Sequence, residues 1–120
     1  MRSRWQKEKS SFRAAGAGIW HFIRFEPHAR FHFLAILSVS TIALVLKCTG
    51  VEWSLLLLSF GLVIGTEMLN TAIENLADVV QPRQDDRIRI VKDIAAGAVL
   101  FSAAVSIGIA LFILLPKFAS

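Results

Sequence analysis

Apolar positions fall into three long blocks along the chain, separated by short polar breaks. The first block runs from Ala29 to Leu46, with Arg30 and His32 as the charged or titratable interruptions near its start. Its eighteen residues, at about 1.5 Å each, reach about 27 Å, just enough to cross the hydrocarbon of a bilayer. The second block begins with an uncharged stretch from Leu55 to Ile64 and continues to Val80, where Gln81-Pro82 stops it. The third starts near Ile88 and is uncharged from Ile94 to Leu115. The pattern therefore predicts membrane helices over 29–46, 52–80 and 88–115. Lys47-Cys48-Thr49-Gly50 reads as a tight turn between the first two, with Trp53 placed as an interfacial anchor. Ahead of these blocks, residues 4–25 are basic and aromatic, and Phe12, Ile19, Trp20, Phe22 and Ile23 are too interrupted to span. Such a segment suits an amphipathic helix lying in the headgroup plane, although a flexible basic tail up to Ser10 has the same composition. Glu26-Pro27 ends it, because the residue before proline is pushed out of the α region and proline suits the first turn of a new helix.

The expected fold class is thus an all-α membrane protein, one integral-membrane domain over residues 1–120, with three transmembrane helices and an N-terminal amphipathic surface helix. An apolar content of 55% in 120 residues exceeds what a soluble domain of this size carries. The lone Cys48 excludes an internal disulfide and reads as a small filler near a helix end. The basic start from Met1 to Arg13 leads into Ala-Gly-Ala-Gly rather than an apolar run and cleavage site, so it does not read as a secretory signal. A net charge of +4 would fit nucleic acid if it were spread over a soluble surface. Instead, seven of the thirteen Lys and Arg residues precede Phe31 and four more lie between Arg83 and Lys92. That is the positive-inside pattern, with the N-terminus and the second loop cytoplasmic in a multi-pass membrane protein. No nucleic-acid partner is expected.

The second helix ends in Glu67-Met-Leu-Asn70-Thr71-Ala-Ile-Glu74-Asn75-Leu-Ala-Asp78. At about 100° per residue, positions 67, 70, 71, 74 and 78 share one narrow stripe. Carboxylates against lipid cost several kcal/mol each, so Glu67 at that depth is a functional candidate that must face protein, water or an ion. Asp78, nearer the end, also reads as a solvated helix terminus. Three helices offer little interior, so a single copy is expected to leave Glu67 near lipid, with self-association as the remedy. The third helix supports that expectation through Ala98, Ser102, Ser106 and Ala110, small residues at i, i+4 spacing that let helices approach closely.

Two other polar sites fall at a similar depth: Glu26 at the surface-helix junction, and Lys92-Asp93 at the entry of the third helix. Carboxylates bind Mg²⁺ in the company of substrate phosphates, and a lysine supplies a point charge to a phosphate oxygen. A carboxylate set deeper can take the proton of a lipid hydroxyl. Phosphoryl transfer needs mainly positioning and charge neutralisation, which this set supplies. Lys92-Asp93 also reads as a solvated ion pair at a helix start. His28 and His32 have metal-ligand spacing but no third ligand nearby, so they read as headgroup-level amphipathic side chains. Gly16-Ala-Gly18 is a flexible or close-packing spot, and no Walker-type phosphate loop is present.

Glu67-x-x-Asn70-Thr-Ala-Ile-Glu74-x-x-x-Asp78, followed by Lys92-Asp93-Ile-Ala-Ala-Gly-Ala-Val, resembles the signature of the small prokaryotic diacylglycerol kinases, a family that includes undecaprenol kinases. The resemblance extends from Phe12-x-x-Ala15-x-x-Gly18 and Glu26-x-x-x-Arg30-x-His32 to the end of the chain. It implies a homotrimeric inner-membrane enzyme that transfers the γ-phosphate of MgATP to a lipid hydroxyl. By the family pattern Glu67 is the general base, with Asn70 ordering the site. Glu26 and Glu74 hold the metal and, with Lys92 and Asp93, contact ATP. Arg30, like Glu67, lies by the lipid. Two departures fall near the expected nucleotide: His28 stands where the family often has Asn, and Gln84-Asp85 replaces an aromatic-His pair.

The leading expectation is therefore a kinase acting on diacylglycerol or undecaprenol. A second, from another class, is a non-catalytic membrane protein that organises lipids or a complex through its small-residue faces. A third, an ion pathway along Glu67, Glu74 and Asp78, is disfavoured because the outer halves of the helices lack polar relays.

Overall fold

A computed structural model describes residues 3–120; Met1 and Arg2, counted above in the basic start, lie outside the described residues. Four helices follow one another: α1 (Arg4–Phe25), α2 (Pro27–Val45), α3 (Gly50–Val80) and α4 (Asp86–Ala119). The last three are long and apolar enough to cross a membrane. All-helical architecture, three spans and a preceding helix agree with the pattern of the sequence.

Each boundary has a local cause. Ser3 caps α1 reciprocally with Gln6: its hydroxyl accepts from the Gln6 amide at 3.2 Å, and its own amide donates to Gln6 Oε1 at 3.0 Å. Glu26 is extended, as a residue before proline must be, and Pro27 then opens α2 from its first position. Thr49 and Glu52 form a second capping box, so α3 starts at Gly50, ahead of Glu52. Asp85 caps α4 by accepting from the Arg87 amide at 2.8 Å, which starts that helix at Asp86 rather than Ile88. At the other end α4 runs through Pro116 to Ala119. There, so close to the terminus, the missing N–H forfeits one bond to the Phe112 carbonyl without stopping the last turn. Gly16 and Gly18 sit inside α1, and a Cβ at either would meet no atom within 4 Å, so neither marks a close approach within the chain.

The α3 and α4 helices form the tightest pair, antiparallel and tied at three depths. Lys92 pairs with Asp78 at one end. In the middle the Ser106 hydroxyl donates to Ser59 Oγ at 3.2 Å. At the far end Lys117 meets Glu52 at 2.9 Å. The close approach comes from small side chains facing the seam, with Ser59, Ala95 and Ser102 all buried. The core proper lies where the end of α2, the start of α3 and the end of α4 converge. It holds Ala43, Leu56, Phe60, Ile113 and Leu114, with Cys48 and Trp53 packed against it. Trp53 thus braces the core rather than only anchoring at the interface. Elsewhere α2 stands away from α4, and the outward faces carry large apolar residues such as Leu58, Phe101 and Phe112, the last 86% exposed. Such faces match acyl chains, which solvate Leu and Phe as well as a protein interior does.

Candidate functional site

The α3 helix carries the polar stripe across the membrane boundary. With Glu52 at one membrane surface, the fifteen residues to Glu67 cover about 22 Å, which leaves Glu67 inside a hydrocarbon layer about 30 Å thick. The expectation that one copy leaves this carboxylate against lipid is overturned: Glu67 is only 4% exposed within a single chain. Two features hide it. The small-residue seam draws α4 close on one side. On the other, His32 of α2 brings its Nε2 to 3.2 Å from Glu67 Oε2.

That contact also corrects the reading of His28 and His32 as a pair of headgroup-level side chains. His28 is exposed, whereas the side chain of His32 is 16% exposed and turned to the acid. A carboxylate in its ionised form only accepts, so the contact is a hydrogen bond in the tautomer whose Nε2 carries the hydrogen and donates. Glu67 Oε1 makes no hydrogen bond among the described residues. His32 was the partner that sequence reasoning missed. The signal was present: a titratable side chain inside an apolar span has to face protein, and the other such group set deep in an apolar block is Glu67.

One turn further along α3, the Asn70 amide nitrogen donates to Glu74 Oε1 at 3.3 Å. Its carbonyl oxygen Oδ1 is buried with no partner. A buried orphan acceptor costs about 1–3 kcal/mol, so it marks a place where a donor or cation belongs. Glu74 is half-buried, and together these oxygens are the kind of donors that Mg²⁺ takes. They fit such an ion chemically, although no group of three or more His, Cys, Asp or Glu gathers among the described residues. Mg²⁺ is commonly held by one or two carboxylates, with waters and substrate phosphates completing its shell.

The other expected residues are distributed as follows. Glu26 is half-buried at the α1–α2 junction, where its side chain makes no capping bond, and no polar contact links it to Glu74. Arg30 is exposed on the first turns of α2. Lys92 and Asp93 do not pair with each other: Lys92 reaches Asp78, and Asp93 lies 3.9 Å from Arg89. Gln84 and Asp85, with Lys92, Asp93 and Asp78, line a polar depression at the α3–α4 loop. Below the His32–Glu67 pair, a groove of about 480 Å³ opens between α2 and α4 over α3. His32 and Phe31 line one end, Leu115 and Phe118 the other, and Phe60 and Val63 form its floor. Apart from Ser106 its walls are otherwise apolar, and its volume is that of a small-molecule site.

The model of the family described as "Prokaryotic diacylglycerol kinase" matches residues 13–114. The chain belongs to that family. It is 37% identical over 107 residues to the undecaprenol kinase of Bacillus subtilis (strain 168), covering 89% of this chain and 87% of that protein. It is 34% identical over 111 residues to the diacylglycerol kinase of Synechocystis sp., covering 92% of this chain and 63% of that protein. No solved structure gives a significant match. The family member is thus a multi-pass membrane protein of the lipid-kinase class, and the expectation of a non-catalytic organiser gives way to that of an enzyme.

Proposed function

We propose that the protein transfers the γ-phosphate of MgATP to the hydroxyl of a membrane lipid, diacylglycerol or undecaprenol, with Glu67 as the general base. The observation that carries this is a buried carboxylate with one oxygen bonded to His32, a residue that lines one end of an apolar groove, and the other oxygen free. A lipid lying along the groove brings its hydroxyl to that level. Glu67 Oε1 takes the hydroxyl proton while the lipid oxygen bonds to the γ-phosphorus. The bond from that phosphorus to the bridging oxygen breaks, and ADP leaves with the electron pair.

The remaining residues divide the task by depth. From Glu67 to Asp78 the helix rises about 16 Å, so lipid chemistry and nucleotide binding sit at opposite ends of one stripe. Between them, Glu74 and Glu26 would hold Mg²⁺, and Asn70 fixes Glu74 while its free carbonyl oxygen awaits a partner. The ion, when bound, neutralises charge on the phosphates. Lys92 exchanges Asp78 for a phosphate oxygen, Asp93 completes the nucleotide contact, and Arg30 meets the lipid headgroup. By the pattern of the family it belongs to, the protein assembles as a homotrimer. The family pattern puts it in the cell inner membrane, and the Lys and Arg distribution supports the α3–α4 loop in the cytoplasm.

The test is radiolabel transfer from γ-labelled ATP, run in parallel with diacylglycerol and undecaprenol, with and without Mg²⁺. Labelling of at least one lipid, abolished by Glu67→Gln with assembly intact, is the expected result. Absence of label from both acceptors, or full turnover by Glu67→Gln, would sink the reading.

A further inference from the structure

We propose that His32 is a positioning residue for the acceptor step: by donating from Nε2 to Glu67 Oε2 it fixes which carboxylate oxygen is free to take the lipid proton. The inference rests on the reading of Glu67 as the base and adds a residue to it.

Three observations converge. First, the 3.2 Å contact is the one polar tie between α2 and either α3 or α4 among the described residues, so α2 is held at this depth by that bond. Second, Glu67 is buried and the His32 side chain is only 16% exposed, so water competes little for the carboxylate and the bond sets its orientation. Third, His32 also lines the groove, so the group that holds the base is the same group that the entering lipid meets. A carboxylate on a side chain with three torsions has no preferred orientation in an apolar slot; one fixed oxygen gives it one. Alignment of a base with its proton donor governs turnover, and misplacement by about 1 Å can cost on the order of a hundredfold.

Replacement chemistry separates this role from packing. Gln places its Nε2 the same number of bonds from Cα as the imidazole Nε2 and keeps a donor there, without a titratable ring. Leu fills similar space with no donor. The full-length protein in mixed micelles is assayed for kcat and KM with MgATP and with each of diacylglycerol and undecaprenol. His32→Gln is expected to keep most of the wild-type kcat. His32→Leu is expected to lose roughly 10- to 100-fold in kcat with KM for MgATP unchanged. If His32→Leu fails to assemble, His32→Asn replaces it: its amide stops about one bond, ~1.5 Å, short of the carboxylate, and the same kcat loss is expected.

Equal kcat in the Gln variant and in Leu or Asn overturns the proposal. So does a loss confined to KM for the lipid, which would make His32 only a wall of the groove. Glu67→Gln, measured beside them, keeps the two levels apart. Its full activity removes the base itself, whereas its inactivity combined with an indifferent His32 removes only the positioning role.

Discussion

Replacing Lys47 with glycine is expected to stabilise the protein, although it removes an entire side chain. At the end of α2 the Cys48 amide donates to the Ala43 carbonyl at 3.1 Å and the Lys47 amide to the Leu44 carbonyl at 3.2 Å. These are the crossed bonds of a Schellman motif, whose turning residue must be left-handed. That residue is Lys47, at φ 57°, the one non-glycine with positive φ among the described residues. An L side chain in that region costs roughly 1–2 kcal/mol, and glycine in the unfolded chain takes back roughly 0.4–1 kcal/mol in entropy. Lys47 makes no ion pair among the described residues, so charge adds only its favourable place beyond a helix C-terminus, at most about 1 kcal/mol and screened by salt. Lys47→Ala removes that charge but keeps the Cβ, so the difference between the two variants isolates the strain at about 1 kcal/mol. Reversible unfolding by SDS in mixed micelles at moderate salt reads it directly. Lys47→Gly should exceed Lys47→Ala in stability, and equal stability of the two would refute the assignment of strain to the backbone.

Two further outcomes follow from the end of the molecule that carries the α3–α4 loop. The Lys92–Asp78 pair is partly exposed, so Asp78→Asn should barely change unfolding and should lower KM for MgATP by at most roughly fivefold, by freeing Lys92. Lys92→Gln should raise that KM roughly tenfold or more, as expected for a lost charge-assisted bond, and a raised KM in Asp78→Asn would show that the pair itself holds the nucleotide. Asp85 is held below the ordinary carboxylate range by the Arg87 side chain first and the Arg87 amide second. Its stabilising effect is therefore full above the unfolded value, near 3.9, and disappears as pH falls through the lower folded value. Amide exchange at Arg87 and Arg89, normalised to intrinsic rates, should lose protection only in that acid window, and Asp85→Asn should flatten the change.

Most of the fold was legible because each decision is local. Eighteen-residue apolar blocks, Pro27 and Pro82 and the polar loop set helix number and order without tertiary knowledge. The boundary shifts also have local signals: Thr49-x-x-Glu52 is a capping box in the sequence, and Asp85 is an N-cap residue ahead of a helix. The site was legible in part. The stripe from Glu67 to Asp78 follows from helical period alone, and so does the Asn70–Glu74 pair at i, i+4. What the sequence could not supply is which face of α2 turns to α3. Nothing in the spacing of His28 and His32 says that only His32 reaches the acid, because that depends on where Pro27 aims α2. The pairing of Lys92 with Asp78, rather than with its neighbour Asp93, likewise depends on how α3 and α4 meet across the loop.

The unequal ties among the helices give the groove its mechanical character. The α3–α4 pair is pinned at both ends and in the middle, while α2 is joined to that pair by packing around Ala43 and Leu56 and by His32–Glu67. A chain entering between α2 and α4 therefore meets one rigid wall and one hinged wall. If the lipid enters there, the core around Leu56, fully buried, would serve as the hinge and the imidazole–carboxylate bond as the latch at the other end of α2. Opening far enough to admit a lipid would strain the His32–Glu67 contact, so on the proposed reading the acid would be best aligned once α2 closed again over the bound chain. On this view the free energy that binds the tail is used to set the base, and a shortened acceptor should lose turnover as well as affinity. Comparing kcat for long- and short-tailed acceptors with the same headgroup decides it: equal kcat with only KM changed would mean that the groove holds the lipid without any coupling to Glu67.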